Sequence, residues 1–212
     1  MSYPDIIDTL REPSKRIEVM AGQKLRYLIP ITDSVSGLRQ REFVLIEPGA
    51  EVEVIGLFLG QADDHLDIKI KTVHAAPNTK GRINFRSVLS GRAQFDFHGL
   101  IRINPGAQNS DDFLEQRSIL LSPEAKATTI PALEIEANDV KASHAATAGP
   151  VDPEQKFYLM ARGLTESQAE GIIMAGFIRP IIKALTGTPL YNQIVHQVAD
   201  RFHISYDLID GN

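Results

Sequence analysis

The chain has 212 residues, is 43% hydrophobic and 23% charged, and carries a formal net charge of -5. These totals suit a globular protein with one good core, or a body with an appendage, and do not favour nucleic acid as a partner. Cysteine is absent, which rules out disulfides, thiolate nucleophiles and thiolate metal sites within the chain and is in keeping with a cytoplasmic protein.

Residues 1–16 are polar, with Pro4 and Pro13, and read as a short helix or a loosely held arm, bounded at residues 1–20. The opening stretch MSYPDIIDTLREPSKR has no apolar h-region of a secretory signal, and no apolar run approaches the ~20 residues of a membrane span. From Ile17 the texture changes, and the β body is taken from residue 21. Leu25, Tyr27 and Ile29 alternate with polar positions, and Leu66, Ile68 and Ile70 alternate with Asp67, Lys69 and Lys71. This period of two marks strands with one buried face.

The pattern continues through Ile83 and Phe85, then Ala93, Phe95 and Phe97, then Ile101 and Ile103. It resumes in Ile119–Leu121, Ala127–Ile130, Leu133–Ile135 and Val140–Ala142. No helical periodicity interrupts residues 41–144. Turns of related form recur at Glu47-Pro48-Gly49-Ala50, Asn104-Pro105-Gly106-Ala107 and Ser122-Pro123-Glu124-Ala125. Two architectures fit: a sandwich or barrel, or short strands coiled into a parallel β-helix. The small and β-branched interior residues tilt the balance slightly toward the β-helix. The repeat is too irregular to yield a period.

At Pro150 the chain turns helical. Asp152 suits an N-cap, Pro153 the first helical position, and Gln155 the third place of a capping box. Phe157, Leu159 and Met160 give that helix an apolar side and Gly163 ends it. Thr165 and Gln168 form a second capping box, and Ala169, Ile172, Ile173, Gly176 and Phe177 line the next helix, which Pro180 kinks or ends. Thr188-Pro189 opens a third helix running through Phe202. The organisation is therefore an arm at 1–20, a β body at 21–149 and a helical unit at 150–212, whose apolar faces call for docking on the body or on a partner.

Enzyme signatures are scarce. No phosphate-binding glycine loop, dinucleotide fingerprint or H-E-x-x-H is present. The pairs Asp63-Asp64 and Asp111-Asp112 read as solvated turn acids rather than catalytic ones. His74, His98 and His144 could meet as metal ligands only if stacked coils brought them together, and His65 reads as exposed in an acidic loop. His196 and His203 lie seven residues apart, too far for one ion. His144 stands out because it follows the last strand signals within the small-residue run Ser143-His144-Ala145-Ala146-Thr147.

These residues carry a resemblance. Phe97-His98-Gly99-Leu100-Ile101, Asn104-Pro105-Gly106-Ala107-Gln108 with Asp111-Asp112, Ser118-Ile119-Leu120-Leu121-Ser122 and Ile130-Pro131-Ala132-Leu133-Glu134-Ile135 resemble successive motifs of the SufB/SufD family of the SUF iron–sulfur cluster assembly machinery. So do Asp139 through Thr147, against D-V-K-C-S-H-G-A-T, and Phe157-Tyr158-Leu159 with Arg162-Gly163-Leu164, against F-Y-L-x-S-R-G. The likeness covers about half the chain, from His74 to Phe177, and is closer to SufD than to SufB.

The resemblance implies a right-handed parallel β-helix followed by a small helical domain, in a short form without most of SufD's N-terminal helical domain. It implies a non-enzymatic scaffold subunit that pairs through its β-helix with a SufB-like subunit or with itself, and binds a SufC-type ATPase through its helices. Phe157, Tyr158, Arg162 and Phe177 would lie in that ATPase-binding surface, and His144 falls at the position of SufD's interface histidine, a candidate iron ligand. Gln116 stands where SufB carries a cysteine tied to cluster assembly, and Ala142 where the family motif has a cysteine two residues before its histidine. No cofactor would be held stably. A cluster needs about four ligands, so this chain would share iron or a nascent cluster transiently with a partner. The alternatives are a β-helix carbohydrate-binding protein or lyase, for which the sequence offers no aromatic ladder, and a purely structural homodimer.

Overall fold

The computed structural model describes residues 5–202, 204–206 and 209. Among the described residues eleven strands precede three helices, and the chain divides into two compact units, residues 1–148 and 149–212. Among the described residues no helix is long and apolar enough to cross a membrane.

The first unit is a parallel β-helix. Odd-numbered strands form one sheet in the order β1-β3-β5-β7-β9-β11 and even-numbered strands the other, β10-β8-β6-β4-β2. They are β1 (Asp5–Ile7), β2 (Ser14–Val19), β3 (Lys24–Ile31), β4 (Ser36–Leu45), β5 (Glu51–Gly60), β6 (His65–His74), β7 (Lys80–Leu89), β8 (Gln94–Ile103), β9 (Ser110–Leu120), β10 (Lys126–Ile135) and β11 (Val140–Pro150). Each coil contributes one strand to each sheet. Glu51 pairs with Lys80 and Lys80 with Asp111, whereas Ser14 pairs with Gln40 and Gln94 with Lys126. Coil length therefore varies, which is why no fixed period is visible in the sequence.

Alternation places one face of each strand inside. On β6 the buried residues are Leu66, Ile68, Ile70, Thr72 and His74, and on β8 they are Phe95, Phe97, Gly99, Ile101 and Ile103. Register stacks like on like between coils, Leu66 beside Phe95 and Ile68 beside Phe97. Phe58, Phe85, Phe95 and Phe97 form a fully buried aromatic cluster with centroids 5.3–6.1 Å apart, each ring contributing about 1.5–3 kcal/mol by burial. Gly56 lies beside Phe85 in the ladder, where a Cβ would stand 2.1 Å from the ring. The recurrent turns form the corners. Ala50, Ala93, Ala107 and Ala125 each donate back to the residue three before and bury their methyl groups at the edge of the core.

Several elements differ from the sequence reading. Within residues 1–20 the described part is no helix or arm. Ile6 lies beside Tyr27 and Ile17 beside Phe43, so β1 and β2 belong to the first coils; residues 1–4 lie outside the described residues. The runs read separately as Phe95–Phe97 and Ile101–Ile103 are one strand, β8, and those of Ala127–Ile130 and Leu133–Ile135 are one strand, β10. Gly99 makes room for Leu114, which would lie 2.2 Å from a Cβ there. Pro131 is tolerated because β10 is an edge strand with no ladder to serve on one side.

The second unit comprises α1 (Pro153–Ala161), α2 (Glu166–Ala184) and α3 (Tyr191–Phe202). Asp152 caps α1 by accepting from the Glu154 N–H, without the reciprocal bond expected of Gln155, and Gly163 follows the helix at φ +95°. The Thr165–Gln168 capping box of α2 is present, and α2 continues through Pro180 rather than ending there. The third helix starts at Tyr191, after Thr188-Pro189.

Candidate functional site

The β-helix ends on an open coil. Thr72, Ile101 and Leu133 occupy one register column of the interior, and His74, Ile103 and Ile135 the next. The first two members of each column are fully buried, whereas Leu133 is 37% and Ile135 43% exposed. Core-facing residues of the last even strand therefore meet solvent. Ile130, on the outer face beside His98, is exposed as well. Strands β10 and β11 are also the free edges of their sheets, so unpaired backbone groups and apolar side chains coincide, the pattern of a surface that pairs with another chain.

His144 lies on β11 and is exposed, with Ser143 exposed beside it and half-buried Ala142 packed against the core. The residues His74, His98 and His144 do not meet. His74 points inward, His98 lies on the outer face of β8, and among the described residues no three His, Asp or Glu side chains surround a common point.

The interior holds two polar clusters. Asp112 is not a solvated turn acid but 1% exposed on β9. Its Oδ2 accepts from Thr72 Oγ1 at 2.5 Å and lies 2.9 Å from His74 Nε2, whose Nδ1 is 2.7 Å from Thr79 Oγ1; Ser110 completes the chain at 2.9 Å from Thr79. In the second cluster Gln116 is fully buried, takes a hydrogen bond from Thr129 at 2.6 Å and donates to Ser118 at 2.8 Å, which meets Ser87 at 2.7 Å. An amide thus occupies the place that the resemblance assigns to a SufB-type cysteine. It is satisfied inside the coil and brings no thiolate chemistry.

At the other end of the β-helix Arg41, 1% exposed, donates to Asp8 and to the carbonyls of Gln40 and Glu12, while Tyr27 donates to Asp8. Burial pushes the Asp8 carboxyl up, but hydrogen bonds from Arg41, Tyr27 and the Leu10 N–H outweigh it and hold it below the ordinary carboxylate value. Burial and the adjacent Asp8 push the Tyr27 phenol up. Asp63 and Asp111, by contrast, are ordinary surface acids paired with Arg92 and Arg82.

In the helical unit α1 buries none of its residues. Phe157 is 74% exposed, and Tyr158 and Met160 are exposed alongside it. Arg162 stacks on Tyr158 with its guanidinium carbon 4.7 Å from the ring centroid. Phe177 is half-buried on α2. Lys156 of α1 reaches Glu166 at 2.7 Å and Glu170 at 3.2 Å on α2. A concave surface of about 600 Å³ beside this helix is lined by residues including Gln155, Tyr158, Leu159 and Ile173. His196 packs edge-on against Tyr206 at 4.7 Å, and His203 lies outside the described residues. Sequence reasoning missed the two interior clusters and the Asp8–Arg41–Tyr27 cluster. The one available signal was polar residues on the inward side of otherwise apolar alternation, at Thr72 and His74.

Comparison with known proteins adds an independent line. Residues 14–177 match the profile of the SUF system FeS cluster assembly SufBD core domain. An iron-sulfur cluster assembly SufBD family protein of Mycobacterium tuberculosis is 31% identical over 172 residues, covering 81% of this chain and 20% of that protein. A Mycobacterium leprae protein of the same description is 30% identical over 166 residues, covering 74% and 42%. The chain thus spans about a fifth of the first relative and less than half of the second.

Proposed function

The chain belongs to the SufBD family of iron–sulfur cluster assembly proteins, and on that premise we propose that it is a SufD-like, non-enzymatic scaffold subunit of a cytoplasmic SUF assembly complex. In this reading its helical unit binds a SufC-type ATPase, and its open β-helix end pairs with a SufB-like subunit or a second copy. The observation that carries the reading is α1, a nine-residue helix with no buried residue and with Phe157 almost three-quarters exposed. An isolated helix that short is marginal in water, and its aromatic face gains stability by docking. Phe157, Tyr158 and Arg162 form the centre of the docking surface, with Phe177 at its margin.

Pairing through β10 and β11 would cover Ile130, Leu133 and Ile135 and bring a partner's ligands to His144. A neutral imidazole there can hold iron or one corner of a nascent cluster, with the remaining ligands coming from the partner. The iron is cargo in transit, not a resident cofactor. Co-purification of a SufC-type ATPase with the full chain, lost in a Phe157→Ala/Tyr158→Ala variant, supports the reading. Equal recovery with both chains, or with neither, removes the helical unit from that role.

A further inference from the structure

We propose that the open end of the β-helix pairs with a second copy of this chain, β10 lying antiparallel against β10 about a twofold axis at Ile130. The choice of occupant rests on the pairing proposed above and is independent of the ATPase.

The backbone of β10 is laid out for such pairing. Lys126 and Glu136 donate to Ala93 and Ile103 on the β8 side, so even-numbered residues of the strand turn their backbone groups toward β8. The odd-numbered ones, Ala127, Thr129, Pro131, Leu133 and Ile135, turn theirs to the free edge. The side chains of the odd-numbered residues stack on the buried row of β8, and those of Lys126, Thr128, Ile130, Ala132 and Glu134 face outward.

The strand is its own complement. Turned end for end about Ile130, its outer row sets Lys126 against Glu134 of the second copy, Thr128 against Ala132 and Ile130 against Ile130. Its inner row sets Ala127 against Leu133 and Thr129 against Pro131, and carries Ile135 over Ala125 of the corner. Leu133 and Ile135, large and exposed, thus each meet a small residue, and each end of the outer row meets the opposite charge. An Ala127–Leu133 pair exchanges two hydrogen bonds, and Thr129 donates to the carbonyl of Pro131, which has no N–H to return. A register shifted by two residues would lay Pro131 on Pro131 at the axis, where neither can donate, and Glu134 on Thr128.

The charges are available for this. Deeper in the fold, outer-row acids stand between two cations, Glu42 between Arg16 and Lys71 and Glu51 between Lys24 and Lys80. Glu134 has a cation on one side only, Arg102 at 3.9 Å, which lies nearer Glu136 at 3.4 Å. Lys126 is exposed and among the described residues enters no ion pair. Lys126 of the second copy takes the open side of Glu134.

The opposite end of the β-helix is closed by the chain itself. Leu10 is 1% exposed in the core cluster, and Arg39 and Arg41 donate to the carbonyls of Leu10 and Glu12. The edge strands there are short, three residues in β1 and six in β2, whereas β10 offers ten. Two copies joined by the same end use up the same strand on each side, so association stops at a dimer. A SufB-like subunit would engage this end only by displacing the second copy.

Sedimentation equilibrium of the full chain tests the pairing. We expect a dimer whose association weakens about tenfold or more in Lys126→Glu and in Glu134→Lys, since each sets like charges opposite each other on both sides of the axis. An equimolar mixture of the two variants recovers the dimer, as does the double variant Lys126→Glu/Glu134→Lys, and this separates lost pairing from misfolding. Ile130→Asp, at a side chain exposed in the single chain, separates the copies with an unchanged circular dichroism spectrum. A monomeric parent, a dimer indifferent to all three single substitutions, or a mixture that stays monomeric overturns the proposal. A monomer that still captures the ATPase overturns the self-pairing alone, whereas a charge-sensitive dimer that captures none supports the self-pairing and removes the helical unit from its role.

Discussion

The Asp112 carboxylate occupies the space that a side chain at Gly81 would need: the two are register neighbours on β9 and β7, and a Cβ on Gly81 would stand 2.3 Å from Asp112 Oδ2. Gly81 is thus the condition for placing an acid inside the coil beside His74 and Thr72. Gly81→Ala forces the carboxylate off its two partners. The expected cost is about 1–3 kcal/mol, read as a lowered urea midpoint of the β-helix transition. An unchanged midpoint would mean that the carboxylate shifts freely.

The His74–Asp112 pair is fully buried, so breaking it is costlier than deleting it. His74→Leu and Asp112→Leu should each destabilise by about 3–5 kcal/mol, because each leaves a polar partner stranded. The double variant should cost clearly less than the sum of the two singles. Strict additivity in the denaturation cycle would show the two groups to be uncoupled.

The Asp8–Arg41 cluster makes the first coils sensitive to acid. A carboxyl held below its unfolded value contributes stability that is fully present above that value, about 3.9, and is lost as pH falls through the lower folded value. Asp8→Asn should therefore lower the melting temperature at neutral pH, with Arg41 left buried and unpaired. The gap between variant and parent should narrow as the pH is taken from 5 toward 2. A pH-independent gap would rule out ionised Asp8 as its source.

Phe157 and Tyr158 belong to a surface rather than a core. Their double alanine variant should unfold within about 0.5 kcal/mol of the parent while losing capture of the ATPase. Early unfolding of the helical unit in this variant would assign the two rings to packing instead.

His144→Ala should leave the melting curve unchanged, since the side chain is exposed on an edge strand. It should reduce iron retained by the complex with a SufB-like partner, measured by absorbance after anaerobic reconstitution. Full iron loading in the variant would make the β11 face a purely structural contact.

Much of this molecule is legible along the chain because the signals are local. Alternation of Leu66, Ile68 and Ile70 with charged residues, corner turns ending in a buried alanine, the Thr165–Gln168 capping box and Gly163 after α1 each act within a few residues, and together they specify strands, corners and helices. The family motifs lie on those same strands and turns. The neighbours across coils are decided elsewhere. Coil length varies, and a slip of one residue reverses every side chain between core and solvent. Only the folded register can therefore set Gly81 beside Asp112, bring His74 to the same carboxylate, or place Gly56 beside Phe85. The exposure of Leu133 and Ile135 is likewise invisible in a pattern that reads them as interior, because a stacked fold buries a coil only when another coil, or a partner, lies on top of it.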